Sequence, residues 1–298
     1  MQRLVPYDAT RGALYSPQDA HISLLASDRN SIRTLCSECS RLVYKKFEAD
    51  AAIESEIRTT LATVDFSVCE FFTCDRAHAF AALSPSTSTA VLAFRGTQAA
   101  NWTDLKTDLE AKLISCAMPG LVHEGFWKAI DTLRRETQIV QWLEANRAQT
   151  TVFTGHSLGA ALATLAAARF PQAELIAFGS PRVGNRDFAH VLSGCKIVRY
   201  VDCCDIVCRL PPEPMGYAHV GDAIYLDRNG LGKGAVDDNA MSYDRAAARA
   251  SYLVRYAWRQ GNVGVRDLAD HAPVNYVSAV RYASAQSASS IGTSNTTA

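Results

Sequence analysis

Thr150-Thr151-Val152-Phe153-Thr154 is a run of β-formers, and Leu158-Gly159-Ala160-Ala161-Leu162-Ala163-Thr164-Leu165-Ala166 is a strong helix former, with only three residues between them. A strand that becomes a helix so abruptly must turn through a sharp elbow. Gly155 and Gly159 leave room for neighbouring backbone where side chains would clash. The elbow itself, Gly155-His156-Ser157-Leu158-Gly159, fits G-x-S-x-G. Chance supplies that pentapeptide in roughly one chain in ten of this length. The strand before it and the helix after it make it specific, because this is the setting in which a serine is held exposed on a strained turn. The turn also places the backbone N–H of Leu158 at a helix N-terminus, where the dipole favours negative charge. A tight turn with an incidental serine is the alternative, and the context disfavours it.

Strand and helix patterns continue on both sides of the elbow. Strands are expected at 66–72, 77–83, 89–94, 150–154, 174–178, 197–201 and 219–226. Helical spacing runs through 20–62, and further helices are expected at 101–113, 124–146, 158–170 and 186–192. Alternation in the second half predicts an α/β fold with a mostly parallel central sheet and helices on both faces; the early strand run predicts antiparallel edge strands. Residues 1–19 are expected to be an irregular arm, 20–282 a single domain, and the Ser/Ala/Thr/Asn-rich residues 283–298 a disordered tail. There are no internal repeats.

Charge and cysteine content narrow the function. Thirty basic and thirty acidic residues give zero formal charge. No basic excess is present to bind nucleic acid or to hold the chain on an anionic membrane. No run reaches about 18 apolar residues, so integral membrane association is not expected. The start lacks a secretory signal pattern, which predicts a cytoplasmic setting unless a leader was removed. Nine cysteines, an odd number, predict reduced thiols. Cys36 and Cys39 form a lone CxxC with no second pair, so buried thiols are preferred to a metal site.

A serine hydroxyl is a poor nucleophile until a base takes its proton, and the base needs a carboxylate to orient it. On an elbow of this kind the chain order is Ser, acid, His. That order leaves His190, His219 and His271 as bases once His156, beside the serine, is set aside. Asp202, Asp205, Asp222 and Asp227 are the carboxylates in the allowed window.

Seven ordered stretches carry a resemblance that chooses among these. They are Ala93-Phe94-Arg95-Gly96-Thr97, Asn101-Trp102-Thr103-Asp104-Leu105, Val122-His123-Glu124-Gly125-Phe126, Thr154-Gly155-His156-Ser157-Leu158-Gly159, Phe178-Gly179-Ser180-Pro181-Arg182-Val183-Gly184-Asn185, Asp205-Ile206-Val207-Cys208-Arg209-Leu210-Pro211-Pro212 and Asp270-His271. Across roughly residues 30–282 the chain resembles the class 3 lipase family, α/β-hydrolases similar to filamentous-fungal triacylglycerol lipases. The resemblance implies an α/β-hydrolase fold and a Ser157, Asp205, His271 triad. Asp205 also follows a strand, at the sheet edge where active-site loops gather. His219 is implied to be a structural histidine bonding the backbone, and Arg95 is taken as structural. Thr97 and Leu158 are implied as oxyanion-hole donors, and Pro181, Val207 and Leu210 as acyl-pocket residues. Many relatives carry proline where this chain has Cys208. Thiols at 203, 204 and 208 so close to the acid suggest sensitivity to thiol reagents.

Trp102, Leu105, Leu109 and Leu113 fall on one stripe at helical spacing. The resemblance implies a lid over Ser157; a plain surface helix is the alternative. The narrow stripe predicts modest interfacial activation and turnover of short or medium acyl esters. The expected function is a serine carboxylester hydrolase acting on acylglycerol or other acyl esters. Its partners would be a lipid or ester substrate and a transient lipid–water interface, with no metal or organic cofactor. A phospholipase, a feruloyl-type esterase, an acyl transferase or a non-catalytic lipase-like binding protein are the rivals. Oligomeric state is not legible.

Overall fold

The computed structural model describes residues 4–20, 24, 26–75, 77–96 and 112–294. Its strands are β1 (Val68–Cys74), β2 (Ala77–Ser84), β3 (Thr89–Phe94), β4 (Leu113–Ser115), β5 (Leu121–His123), β6 (Thr150–His156), β7 (Glu174–Phe178), β8 (Ile197–Asp202), β9 (Ala223–Leu226) and β10 (Gly232–Lys233). Its helices are α1 (Arg11–Tyr15), α2 (Ile32–Leu42), α3 (Ala51–Ala62), α4 (Glu124–Glu136), α5 (Ile139–Ala145), α6 (Leu158–Arg169), α7 (Arg186–Val191), α8 (Asp238–Arg255), α9 (Arg266–Ala269) and α10 (Pro273–Ser294). Among the described residues no helix is long and apolar enough to cross a membrane.

Eight strands form one sheet in the order β1-β2-β3-β6-β7-β8-β9-β10. β3, β6, β7, β8 and β9 run parallel to their neighbours in that order. β1, β2 and β10 are added antiparallel at the two edges. Successive residues of a strand face opposite sides of a sheet, so a strand covered on both sides is apolar throughout. β6 does this. Phe153 joins a core with Leu92, Leu175, Phe126 of α4 and the buried alanines of α6. Its neighbour Val152 joins the opposite core with Val91, Ile176, Cys39 of α2 and Tyr276 of α10. Helices therefore cover both faces, as the alternating pattern predicts.

Several local expectations are corrected. The helix expected at 124–146 is two helices, broken where Thr137 takes an extended backbone (φ −124°, ψ 168°) and turns its hydroxyl back onto Leu133 O. The strand expected at 219–226 begins only at Ala223, because Gly221 has φ +55° and Arg199 holds the carbonyls of Val220 and Gly221. The arm is not wholly irregular: Thr10 caps α1 by accepting from Ala13 N. The tail is not without structure, since α10 runs through Ser294. Buried Tyr276, Val277, Ala279 and Val280 anchor that helix, and Ala283 and Ala285 suit its continuation. The helix expected at 101–113 lies outside the described residues except at its end, where Leu113 opens β4 instead.

Candidate active site

Ser157 stands where β6 meets α6. Its φ is +58° and ψ −127°, a conformation costly for a residue with a Cβ. Its N–H donates to Phe178 O (3.0 Å), which ties the elbow to the end of β7. The flanking glycines are required by close approach: a Cβ on Gly155 would collide with the backbone of Gly159, and one on Gly159 with Phe94 O. Leu158 begins α6, so its N–H is among those with no intrahelical acceptor.

The three side chains expected to work together are in contact. His271 Nδ1 lies 2.9 Å from Asp205 Oδ2, and His271 Nε2 lies 2.9 Å from Ser157 Oγ. Ionised carboxylates only accept, so Nδ1 carries the proton and Nε2 is left to accept from the Ser157 hydroxyl. Asp205 is fully enclosed (1% exposed). Burial works against its ionisation, but the imidazole of His271 and the hydroxyl of Tyr276 outweigh it and hold the carboxyl below the usual carboxylate value. Val207 N donates to the other oxygen, Oδ1 (2.9 Å), so both oxygens of the acid are used. Asp205 sits just beyond β8 and His271 just beyond α9, immediately before α10.

A second layer of bonds holds these groups, and sequence reading missed it. Tyr276 Oη donates to Asp205 Oδ2 (2.6 Å) and accepts from Asp202 N (2.9 Å). His156 Nε2 donates to the backbone oxygen of His271 (2.8 Å), which leaves Nδ1 to accept from Tyr44 Oη (3.0 Å). Burial, reinforced by the nearby His271, pushes the His156 pKa well down, so its ring is neutral. Asp270 is ion-paired to Arg266 (3.0 Å) and accepts from Tyr7 Oη (2.7 Å) and Cys204 N (3.0 Å). It thereby fastens the residue before His271 to the arm and to the turn that bears Asp205. Gly179 has φ +57°, and a Cβ there would stand within 3.1 Å of Asp205, His156 and His271 side-chain atoms. Among these only the order of Tyr276 after His271, on the first turns of the last helix, offers a sequence signal.

The remaining expected residues divide. Val207 is buried in the core cluster around α6, Leu210 packs against that cluster, and Pro181 is buried beside it in the chain. Thr97, Trp102, Leu105 and Leu109 lie outside the described residues. His219 Nε2 donates to Cys208 O (2.7 Å), as expected of a structural histidine. Arg95 is ion-paired to Glu48 (2.8 Å) and lies over the Phe47 ring, also structural. All nine cysteines are free, and Cys203, Cys204 and Cys208 are buried. Burial pushes the Cys208 thiol well up, and Asp205 adds to the effect; Cys203 is also raised, by its contact with Cys204 and by burial. Buried neutral thiols are poor nucleophiles, which reverses the expected sensitivity to thiol reagents. Cys203, Cys204 and Asp270 bring possible ligand atoms within 4.8 Å of one another, but the carboxylate there is already paired with Arg266.

Residues 91–215 match the family model for lipase (class 3). A secreted mono- and diacylglycerol lipase A of Penicillium cyclopium is 33% identical over 181 residues, 57% of this chain and 58% of that protein. The chain thus spans less than two thirds of the length of this curated relative. A solved lipase from Rhizopus microsporus var. chinensis superposes with a TM-score of 0.56 at 23% identity, covering 74% of this chain and 83% of that one. Another solved triacylglycerol lipase, described as having a serine-protease triad at its catalytic centre, gives 0.54 at 24% identity over 69% and 82%. The fold is that of the α/β-hydrolases.

Proposed function

We propose, from the match of residues 91–215 to the lipase (class 3) family, that the protein is a serine carboxylester hydrolase acting on acylglycerols. The hydrogen-bonded series Ser157, His271, Asp205 carries this reading. His271 Nε2 takes the Ser157 proton as Oγ attacks the ester carbonyl. The carbonyl oxygen becomes an oxyanion, for which Leu158 N–H at the start of α6 is one donor and Thr97 the second. Imidazolium formed at His271 faces the Asp205 carboxylate, which stays ionised. The proton on Nε2 then goes to the leaving alcohol and the acyl group remains on Ser157. Water attacks the acyl-enzyme, again losing its proton to His271, and the fatty acid leaves as Ser157 regains a proton. No step calls for a cofactor.

Pro181, Val207 and Leu210 are the proposed wall for the acyl chain, and Trp102, Leu105 and Leu109 the apolar face of the proposed lid. The Penicillium relative is secreted by its name, which supports secretion for this chain over the cytoplasmic setting. Seven of the nine cysteines are buried, so an oxidising exterior would find few thiols to attack.

Labelling by a fluorophosphonate, followed by peptide mapping, tests the chemistry. An adduct on Ser157 is expected, and an unlabelled folded protein would overturn the reading in favour of a lipase-like binder. Hydrolysis of a diacylglycerol and a triacylglycerol, set beside a phospholipid and a feruloyl ester, tests the substrate class. Greater turnover of the phospholipid or the feruloyl ester would overturn the acylglycerol assignment.

A further inference from the structure

On the far side of the Asp205 turn, a cleft of about 510 Å³ opens between the 207–214 segment, β8, β9 and the start of α8. Its volume is in the range of small-molecule sites. Four guanidinium groups line it, those of Arg182, Arg199, Arg209 and Arg245, against two carboxylates, Glu213 and Asp238. The difference is 4 − 2, a local charge of +2, with His219 pushed towards neutrality by burial and by Arg199 and Arg182. Arg182 is ion-paired to Glu213 (2.6 Å). The other three arginines have no carboxylate partner among the described residues. Arg245 Nε donates to Cys203 O and its guanidinium lies over the Tyr225 ring.

Arg199 is the telling group. It is 5% exposed, and its Nε and Nη2 donate to Val220 O and Gly221 O. Its Nη1 is buried without a partner. Asp222 is near enough to influence Arg199 but does not pair with it. A buried guanidinium without a counter-charge is expensive, and arginine forks suit tetrahedral oxyanions. We propose that this cleft is a binding site for a phosphate dianion, anchored by Arg199 from the floor and by Arg209 and Arg245 at the mouth. Val201 and Tyr225 give it an apolar wall that would seat a small organic body on a phosphomonoester.

The site stands apart from Ser157 and its test does not need ester hydrolysis. The purified chain, held at constant ionic strength with chloride, is titrated with inorganic phosphate by calorimetry. Saturable binding with a Kd of about 1 mM or tighter is expected. Arg209→Gln and Arg245→Gln, at the mouth of the cleft, are each expected to weaken it about tenfold or more. A second arm measures retention on phosphatidate vesicles against phosphatidylcholine vesicles. Retention that inorganic phosphate competes away assigns the site to a lipid phosphate headgroup. Phosphate binding without retention assigns it to a free phosphate. Absence of binding in both arms, or affinity unchanged in both arginine variants, overturns the proposal.

Discussion

Tyr276 Oη and His271 Nδ1 both donate to the same oxygen of Asp205, at 2.6 and 2.9 Å. The phenol therefore shares the acceptor that orients the imidazole, and it does so from a helix packed across the opposite core. Tyr276→Phe leaves the ring in place and removes one donor to the carboxylate. It also leaves Asp202 N without its acceptor. We expect kcat/KM for an ester to fall about tenfold, with stability lower by about 1–3 kcal/mol. Steady-state kinetics beside denaturant unfolding checks both; an unchanged kcat would show that the phenol does nothing for the base.

His156 governs stability in mild acid. Its folded pKa lies well below the ordinary value of about 6.5. A base held neutral in the fold binds its proton more readily when unfolded. Its contribution is therefore fully present above about pH 6.5 and is lost as pH falls from there towards the folded pKa. His219 is depressed in the same direction and adds to the same window. Asp205, held below its usual value, contributes above the ordinary carboxylate pKa and loses that contribution as pH falls through its folded pKa. Unfolding free energy should decline in two stages on acidification. His156→Gln should reduce the slope of the first stage; an unaltered slope would contradict this assignment.

Thiol chemistry gives a negative expectation. Cys203, Cys204 and Cys208 are buried, and the Cys208 thiol is held protonated beside an ionised acid. Iodoacetamide applied to the native protein should leave ester hydrolysis unchanged while alkylating the part-exposed Cys116 and Cys195. Inactivation that tracks alkylation of Cys208 would contradict the buried placement.

Packing at the elbow sets the fourth expectation. Gly159→Ala places a methyl group against Phe94 O at the end of β3. The backbone there is paired in the sheet and cannot yield freely, so a loss of about 1–3 kcal/mol or more is expected. A variant with unaltered melting behaviour would show that α6 shifts instead.

The strands around the elbow, the parallel character of the sheet and the elbow itself were legible because their signals are local. Val152 and Phe153 are adjacent apolar residues in a short run, and Gly155 and Gly159 bracket a serine. Chain order narrowed the base and the acid to a few candidates, and the resemblance chose Asp205 and His271 among them, since residues more than sixty positions apart leave no periodic trace. Tyr44 was missed because it works by a bond across the fold, and a tyrosine alone carries no positional signal. Tyr276 was passed over although it follows His271 closely in the chain, and Asp270 was read only as part of the Asp-His stretch, without its bonds to Arg266, Tyr7 and Cys204. α8 went unread because large apolar residues such as Leu253 and Val254 stay exposed on it, which blurs the stripe that marks a helix. The tail was misread because small residues suit both a disordered segment and the continuation of an anchored helix.

Ser157→Ala, assayed on a soluble acyl ester with the fold checked by circular dichroism, tests the central claim most directly. Removing Oγ leaves His271 and Asp205 in place and takes away the atom that would bond the acyl group. A folded variant with kcat lower by about 10⁴-fold or more is the predicted result. A folded variant that still hydrolyses the ester at the rate of the parent would contradict the account.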